Sequence, residues 1–185
     1  MQKCFLGSLA LATLCSLSVR AENTYTPYIG MDVLYNIAKV SQVKPHYFGA
    51  NFNVGTMYNY YFGTELFYEQ VGSDSKKITD TQKIKTSYRA YGLDASGYLP
   101  LGCQKRLNLL GTVGISEYVF YHKIKPEKHH HNSGFGYRAG VGILYHITDH
   151  LSLRAAAKYV HFDKISEIDH QMSYQIGVRY HFSKD

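Results

Sequence analysis

From Tyr28 to Phe182 the chain runs through eight stretches, each about ten residues long, in which apolar side chains alternate with small or polar ones. A period of two places successive side chains on opposite faces of a β-strand, whereas a helix repeats near 3.6. In the first stretch Ile29, Met31, Val33 and Tyr35 oppose Gly30, Asp32 and Leu34. Phe48, Ala50, Phe52 and Val54 oppose Gly49, Asn51, Asn53 and Gly55, and Phe62, Thr64, Leu66 and Tyr68 oppose Gly63, Glu65, Phe67 and Glu69. The fourth sets Tyr91, Leu93, Ala95 and Leu99 against Gly92, Asp94, Ser96 and Tyr98; the fifth sets Leu109, Val113 and Ile115 against Leu110, Thr112, Gly114 and Ser116. Stretches starting at Tyr137, Leu151 and Met172 repeat the pattern, with Arg138, Gly140 and His146, then Ser152, Arg154 and Lys158, then Gln175, Gly177, Arg179 and His181 on the polar side.

The connectors alternate as well. Segments 58–60, 100–106 and 148–150 are short, and segments 36–46, 72–85, 122–134 and 161–169 are longer. An even number of strands joined alternately by short turns and long loops is the layout of a membrane-spanning barrel. The fold class expected is all-β: an eight-stranded antiparallel up-and-down transmembrane β-barrel. Alternation does not say which face is inside, but the charges do. The small-and-polar face carries Asp32, Glu65, Glu69, Asp94, Arg138, Arg154, Lys158 and Arg179, four acids against four bases. These can pair within a narrow lumen, where a lone charge would be costly. Eight-stranded barrels are filled by side chains, so a salt-bridge plug is the expectation and a small gated ion path the alternative. Tyr28, Tyr35, Tyr68, Tyr145, Tyr159, Tyr180 and Phe182 are expected in the aromatic girdles at the membrane interfaces.

The beginning of the chain reads as a secretion signal. Lys3 precedes an apolar run from Cys4 to Leu17, and Val19-Arg20-Ala21 offers a peptidase site. Residues 1–21 are taken as the signal peptide and 22–185 as the barrel domain. The run is shorter than the ~20 residues of a spanning helix. Cleavage leaves 18 basic and 14 acidic residues and one cysteine, Cys103. An exported chain with no intrachain disulfide needs another means of closure, and a hydrogen-bonded barrel supplies one. Aromatic content of 15% with 18% charged residues excludes a disordered chain.

At the end of the chain, Gln175, Gly177, Tyr180 and Phe182 form a polar-x-Gly-x-x-aromatic-x-aromatic motif. It is similar to the terminal-strand signal read by the outer-membrane barrel assembly machinery, although Ser183-Lys184-Asp185 follow the last aromatic here. Segments 28–35, 61–69 and 147–160, in that order, resemble the OmpA/OmpX-like family of small outer-membrane barrels over nearly the whole mature chain. The resemblance implies residence in the outer membrane of a Gram-negative cell, with outer-membrane lipids, lipopolysaccharide and the assembly machinery as partners. No peptidoglycan-binding domain is expected after the last strand.

Specificity is expected in the outer loops. Lys39, Lys44, Lys76, Lys77, Lys83, Lys85, Lys123, Lys125 and Lys128 make them basic, and a host surface ligand is a candidate partner. The modest charge excess and the compartment exclude nucleic acid. His129, His130 and His131 are weak metal candidates, because adjacent imidazoles alone do not fix a coordination geometry. His131-Asn132-Ser133 has the spacing of a lipid A deacylase element, but no Asp or Glu lies between Gly134 and Thr148 to orient the histidine. The function expected is therefore non-enzymatic and cofactor-free, either envelope-structural or adhesion-like. A small channel is the alternative, and a lipid-modifying hydrolase is a more distant one.

Overall fold

The computed structural model describes residues 25–39, 46–79, 82–101, 106–124, 128–163 and 170–182. It gives their side chains except at 38–39, 73–79, 82–86, 122–124 and 128–132. The expected signal peptide lies outside the described residues, as do Lys44 and Lys125 of the basic loops.

Eight strands follow one another without a crossover: β1 (Thr26–Lys39), β2 (His46–Met57), β3 (Phe62–Thr79), β4 (Gln82–Leu101), β5 (Leu107–Ile124), β6 (Lys128–His146), β7 (Leu151–Asp163) and β8 (His170–His181). Each pairs antiparallel with the next, and β8 returns to β1 from Tyr28↔His181 to Lys39↔His170, closing the barrel. Closure satisfies both edges of every strand, which a lipid environment demands. Two short turns are set by side chains that accept from the backbone. Asn59 Oδ1 takes the N–H groups of Tyr61 and Phe62, both at 2.8 Å. Thr148 Oγ1 takes those of His150 at 3.3 Å and Leu151 at 3.0 Å. Asn and Ser/Thr favour turns through such bonds.

The apolar face points outward. Val113 is 62% exposed and Ile176 70%, whereas Arg154 and Arg179 are wholly buried. A water-soluble monomer rarely exposes a contiguous apolar patch beyond a few hundred Å², and here such a face wraps the barrel. Among the described residues no helix is long and apolar enough to cross a membrane; the strands do the crossing.

Two expectations need correcting. Tyr28 is not in a girdle. It shares the parity of Gly30 and Asp32, and its ring is fully buried in the lumen. Segments 72–85 and 122–134 are not loops over most of their length. β3 pairs with β4 up to Thr79↔Gln82, and β5 pairs with β6 up to Ile124↔Lys128. Meanwhile β2 follows β3 only to Gly49↔Val71, and among the described residues β7 meets β6 from Phe135↔Asp163. The sheet β3–β4–β5–β6 therefore continues beyond the closed ring for about eight residues, some 26 Å at ~3.3 Å per residue.

Candidate functional site: the filled lumen

The lumen is stacked in layers. At the short-turn end Tyr28, Met57, Tyr98, Leu110 and Leu144 form an apolar cap. At the other end Tyr47, Tyr88, Tyr118, Phe120 and Phe162 pack with Leu34, Val71 and Val160. The eight charges lie between these caps, all buried, and they sort into two groups, each with two acids and two bases.

The first group joins Asp32 on β1, Glu65 on β3, Arg154 on β7 and Arg179 on β8. Arg154 donates through Nε to Asp32 Oδ1 at 2.9 Å and through Nη1 to both Glu65 oxygens at 2.9 Å, and its Nη2 also bonds Asp32. Arg179 bonds Glu65 through Nη2 and Tyr98 Oη through Nη1, the latter at 3.1 Å. The remaining carboxylate capacity is filled by Tyr28, which donates to Glu65 at 3.1 Å, and by Asn51 and Asn53, which donate to Asp32 at 2.9 and 2.8 Å. The second group joins Glu69, Asp94, Arg138 and Lys158. Arg138 reaches Glu69 at 2.9 Å and Asp94 at 3.3 Å, and Lys158 reaches Asp94 at 2.7 Å. Gln175 adds a 3.5 Å bond to Glu69. The Arg138 guanidinium lies 3.8 Å from the centre of the Phe67 ring, and that of Arg179 lies 4.5 Å from Tyr28. Such stacking stabilises a desolvated cation by about 2 kcal/mol or more.

Glycines in register make these contacts reachable. Arg154 and Asp32 sit on strands either side of β8, and the residue between them in register is Gly177. A Cβ at Gly177 would overlap Asp32 Oδ1. Likewise Gly114 on β5 separates Asp94 from Arg138, and a Cβ there would overlap Asp94 Oδ1. The pattern acid–Gly–Arg across three strands lets each arginine cross its neighbour and meet a carboxylate.

Sequence parity alone puts the eight charged residues on one face. It does not pair them, because pairing depends on register. It also missed Tyr28, Tyr98, Asn51, Asn53 and Phe67 as partners, although all five share the parity of the charges. In the terminal motif, Gln175 and Gly177 face the network, while Tyr180 and Phe182 face outward with their rings 5.2 Å apart, edge to face. The register sets His129, His130 and His131 opposite Lys123, His122 and Tyr121. Among the described residues no group of three or more potential ligands is arranged to hold a metal.

This architecture is shared. Residues 7–182 match the outer membrane protein β-barrel domain. The chain belongs to that family. No curated protein matches it. The fold is similar to that of Ail, the attachment invasion locus protein of Yersinia pestis, solved with the heparin analogue sucrose octasulfate, at TM-score 0.63 and 13% identity over 85% of this chain and 99% of that one. Neisserial surface protein A gives TM-score 0.66 and 17% identity over 84% and 97%, and OprG from Pseudomonas aeruginosa gives 0.62 and 15% over 88% and 98%. In barrels of the outer membrane the short turns face the periplasm.

Proposed function

We propose that this protein is a non-enzymatic surface-interaction barrel whose recognition element is the sheet β3–β6 where it stands clear of the membrane. The observation that carries this reading is the continuation of three strand pairings past Val71, where the β2–β3 pairing ends although His46 to Phe48 of β2 are still in the strand. Among the described residues the projecting part carries Lys76, Lys77, Lys83, Lys85, Lys123 and Lys128 against Asp74, and the sequence adds Lys125, Asp80 and Glu127 in the two connecting segments. A basic sheet fits a polyanion: a sulfated or phosphorylated glycan, or the phosphates of lipopolysaccharide. The heparin analogue bound by Ail is consistent with that chemistry on a related fold. We also propose export by a signal peptide cleaved after Ala21 and delivery to the assembly machinery through Gln175, Gly177, Tyr180 and Phe182.

The test is to replace residues 73–86 and 122–132 by short turns and measure retention on immobilised heparin at rising salt. The unaltered barrel should be held at low salt and released as salt screens the lysines, and the shortened barrel, still folded, should pass through. Equal retention of both would overturn the reading. A gated channel stands second, because several lumen atoms, among them Asn51 Oδ1, Asn53 Oδ1 and Gln175 Oε1, have no hydrogen-bond partner and are of the kind that buried water serves.

A further inference from the structure

Below the charge network, at the short-turn mouth of the barrel, three side chains converge that have no part in it. Ser152 is fully buried. Its Oγ lies 2.7 Å from His146 Nδ1 and 2.9 Å from His181 Nε2. The two histidines are the last residues of β6 and β8, and Ser152 is the second residue of β7. Further bonds bind the same corner together. The His146 N–H donates to the Arg106 carbonyl at 2.8 Å, the His181 N–H donates to the His150 carbonyl at 2.7 Å, and His150 Nδ1 lies 3.2 Å from the His181 carbonyl. The His181 ring sits 5.5 Å from both the His146 and Tyr28 rings. It thereby leans on the apolar cap that Tyr28, Met57, Tyr98, Leu110 and Leu144 form.

We propose that His146, Ser152 and His181 are a proton-operated latch on the periplasmic mouth, closed while the imidazoles are neutral and released when both take a proton. A hydroxyl has one proton to give. With neutral rings the chain is complete: one imidazole accepts the serine proton and the other donates its N–H to the serine oxygen. With two imidazolium rings both must donate, and the hydroxyl proton is left facing a cation. The surroundings make that state worse. Arg179 on β8 adds a third positive charge beside them, and Arg154 lies two residues from Ser152 on β7. Glu65 on β3 is already taken by Arg154, Arg179 and Tyr28. Tyr28 on β1 and Tyr98 on β4 are neutral, and β2 and β5 present Met57, Asn108 and Leu110. Among the described residues, Asp149 in the exposed turn opposes the charge, and His150 next to it shares the turn. Imidazole titrates over the range that a periplasm open to the surroundings experiences.

The test uses Leu144→Cys in a Cys103→Ser background, in detergent micelles, labelled by a bulky hydrophilic maleimide. Rates are normalised to free cysteine at about pH 7.5 and about pH 5.5, a window that stays above ordinary carboxylate titration. Labelling should rise severalfold in acid with both histidines present, and should not rise in the His146→Gln/His181→Gln variant. A rate that ignores pH with both histidines intact, or an equal rise in the double variant, would overturn the proposal. If Leu144→Cys does not assemble, hydrogen exchange of the Leu151–Leu153 amides, corrected for intrinsic rate, gives the same two outcomes in the otherwise unaltered barrel.

Discussion

Each lumen carboxylate is held by at least one cation and by further donors where register brings them, so removing one member exposes the rest. Arg154 bridges Asp32 and Glu65 from a fully buried position. Arg154→Ala leaves Asp32 with Asn51 and Asn53, and Glu65 with Arg179 and Tyr28, and truncating a buried pair in this way costs about 3–5 kcal/mol; urea unfolding of the refolded barrel in micelles should show a loss of that order. Glycine separates two further cases. Gly177→Ala pushes a methyl into Asp32 and should lower the unfolding midpoint clearly. Gly111→Ala, on the outer face with nothing within 4 Å of its new methyl, should leave the midpoint unchanged. The eight charged residues were legible from parity, yet Tyr28 was misread as a girdle residue. Its aromatic character drew it toward the interface, although its even number put it with Asp32. Position in the pattern outweighs residue type here, because a one-residue change of face is not available within a strand.

At the scale of the strand, the sequence pattern tells faces apart only where one faces lipid and the other the lumen. Beyond Val71 the run Ser73-Asp74-Ser75-Lys76-Lys77 is polar at every position, yet Asp74 to Lys77 still pair with Thr86 to Lys83. With water on both sides the alternation vanishes while the ladder persists, and the segment looks like a loop. The short connectors 58–60 and 148–150, by contrast, were readable as breaks between alternating stretches, and the structure adds Asn59 and Thr148 as the side chains that fix them. Two strand-level outcomes follow. Val141, outward and 66% exposed, should not tolerate arginine: Val141→Arg is expected to cost about 2–4 kcal/mol if it lies near the bilayer midplane, measured by unfolding in lipid vesicles. At the end of β8, the Phe182 N–H donates to the Pro27 carbonyl at 2.9 Å, and its ring packs on Tyr180. Phe182→Ala should reduce the heat-modifiable, folded form recovered from outer membranes, since it removes the last aromatic of the terminal motif.

At the scale of the whole molecule, two neutral charge groups between two apolar caps fill the described part of the lumen. Eight strands are too few to hold an open pore once such side chains fill them. On the proposed function the barrel is a scaffold that spans the membrane and projects the β3–β6 sheet. The acid-sensitive mouth at the opposite end leaves the aromatic cap of Tyr88, Tyr118, Phe120 and Phe162 in place. The sealed lumen is the claim on which the rest depends, and single-channel recording in planar bilayers at neutral pH tests it most directly. The unmutated barrel should insert and show no steady conductance. A stable, reproducible open state would contradict the plugged lumen and make ion passage the barrel's function.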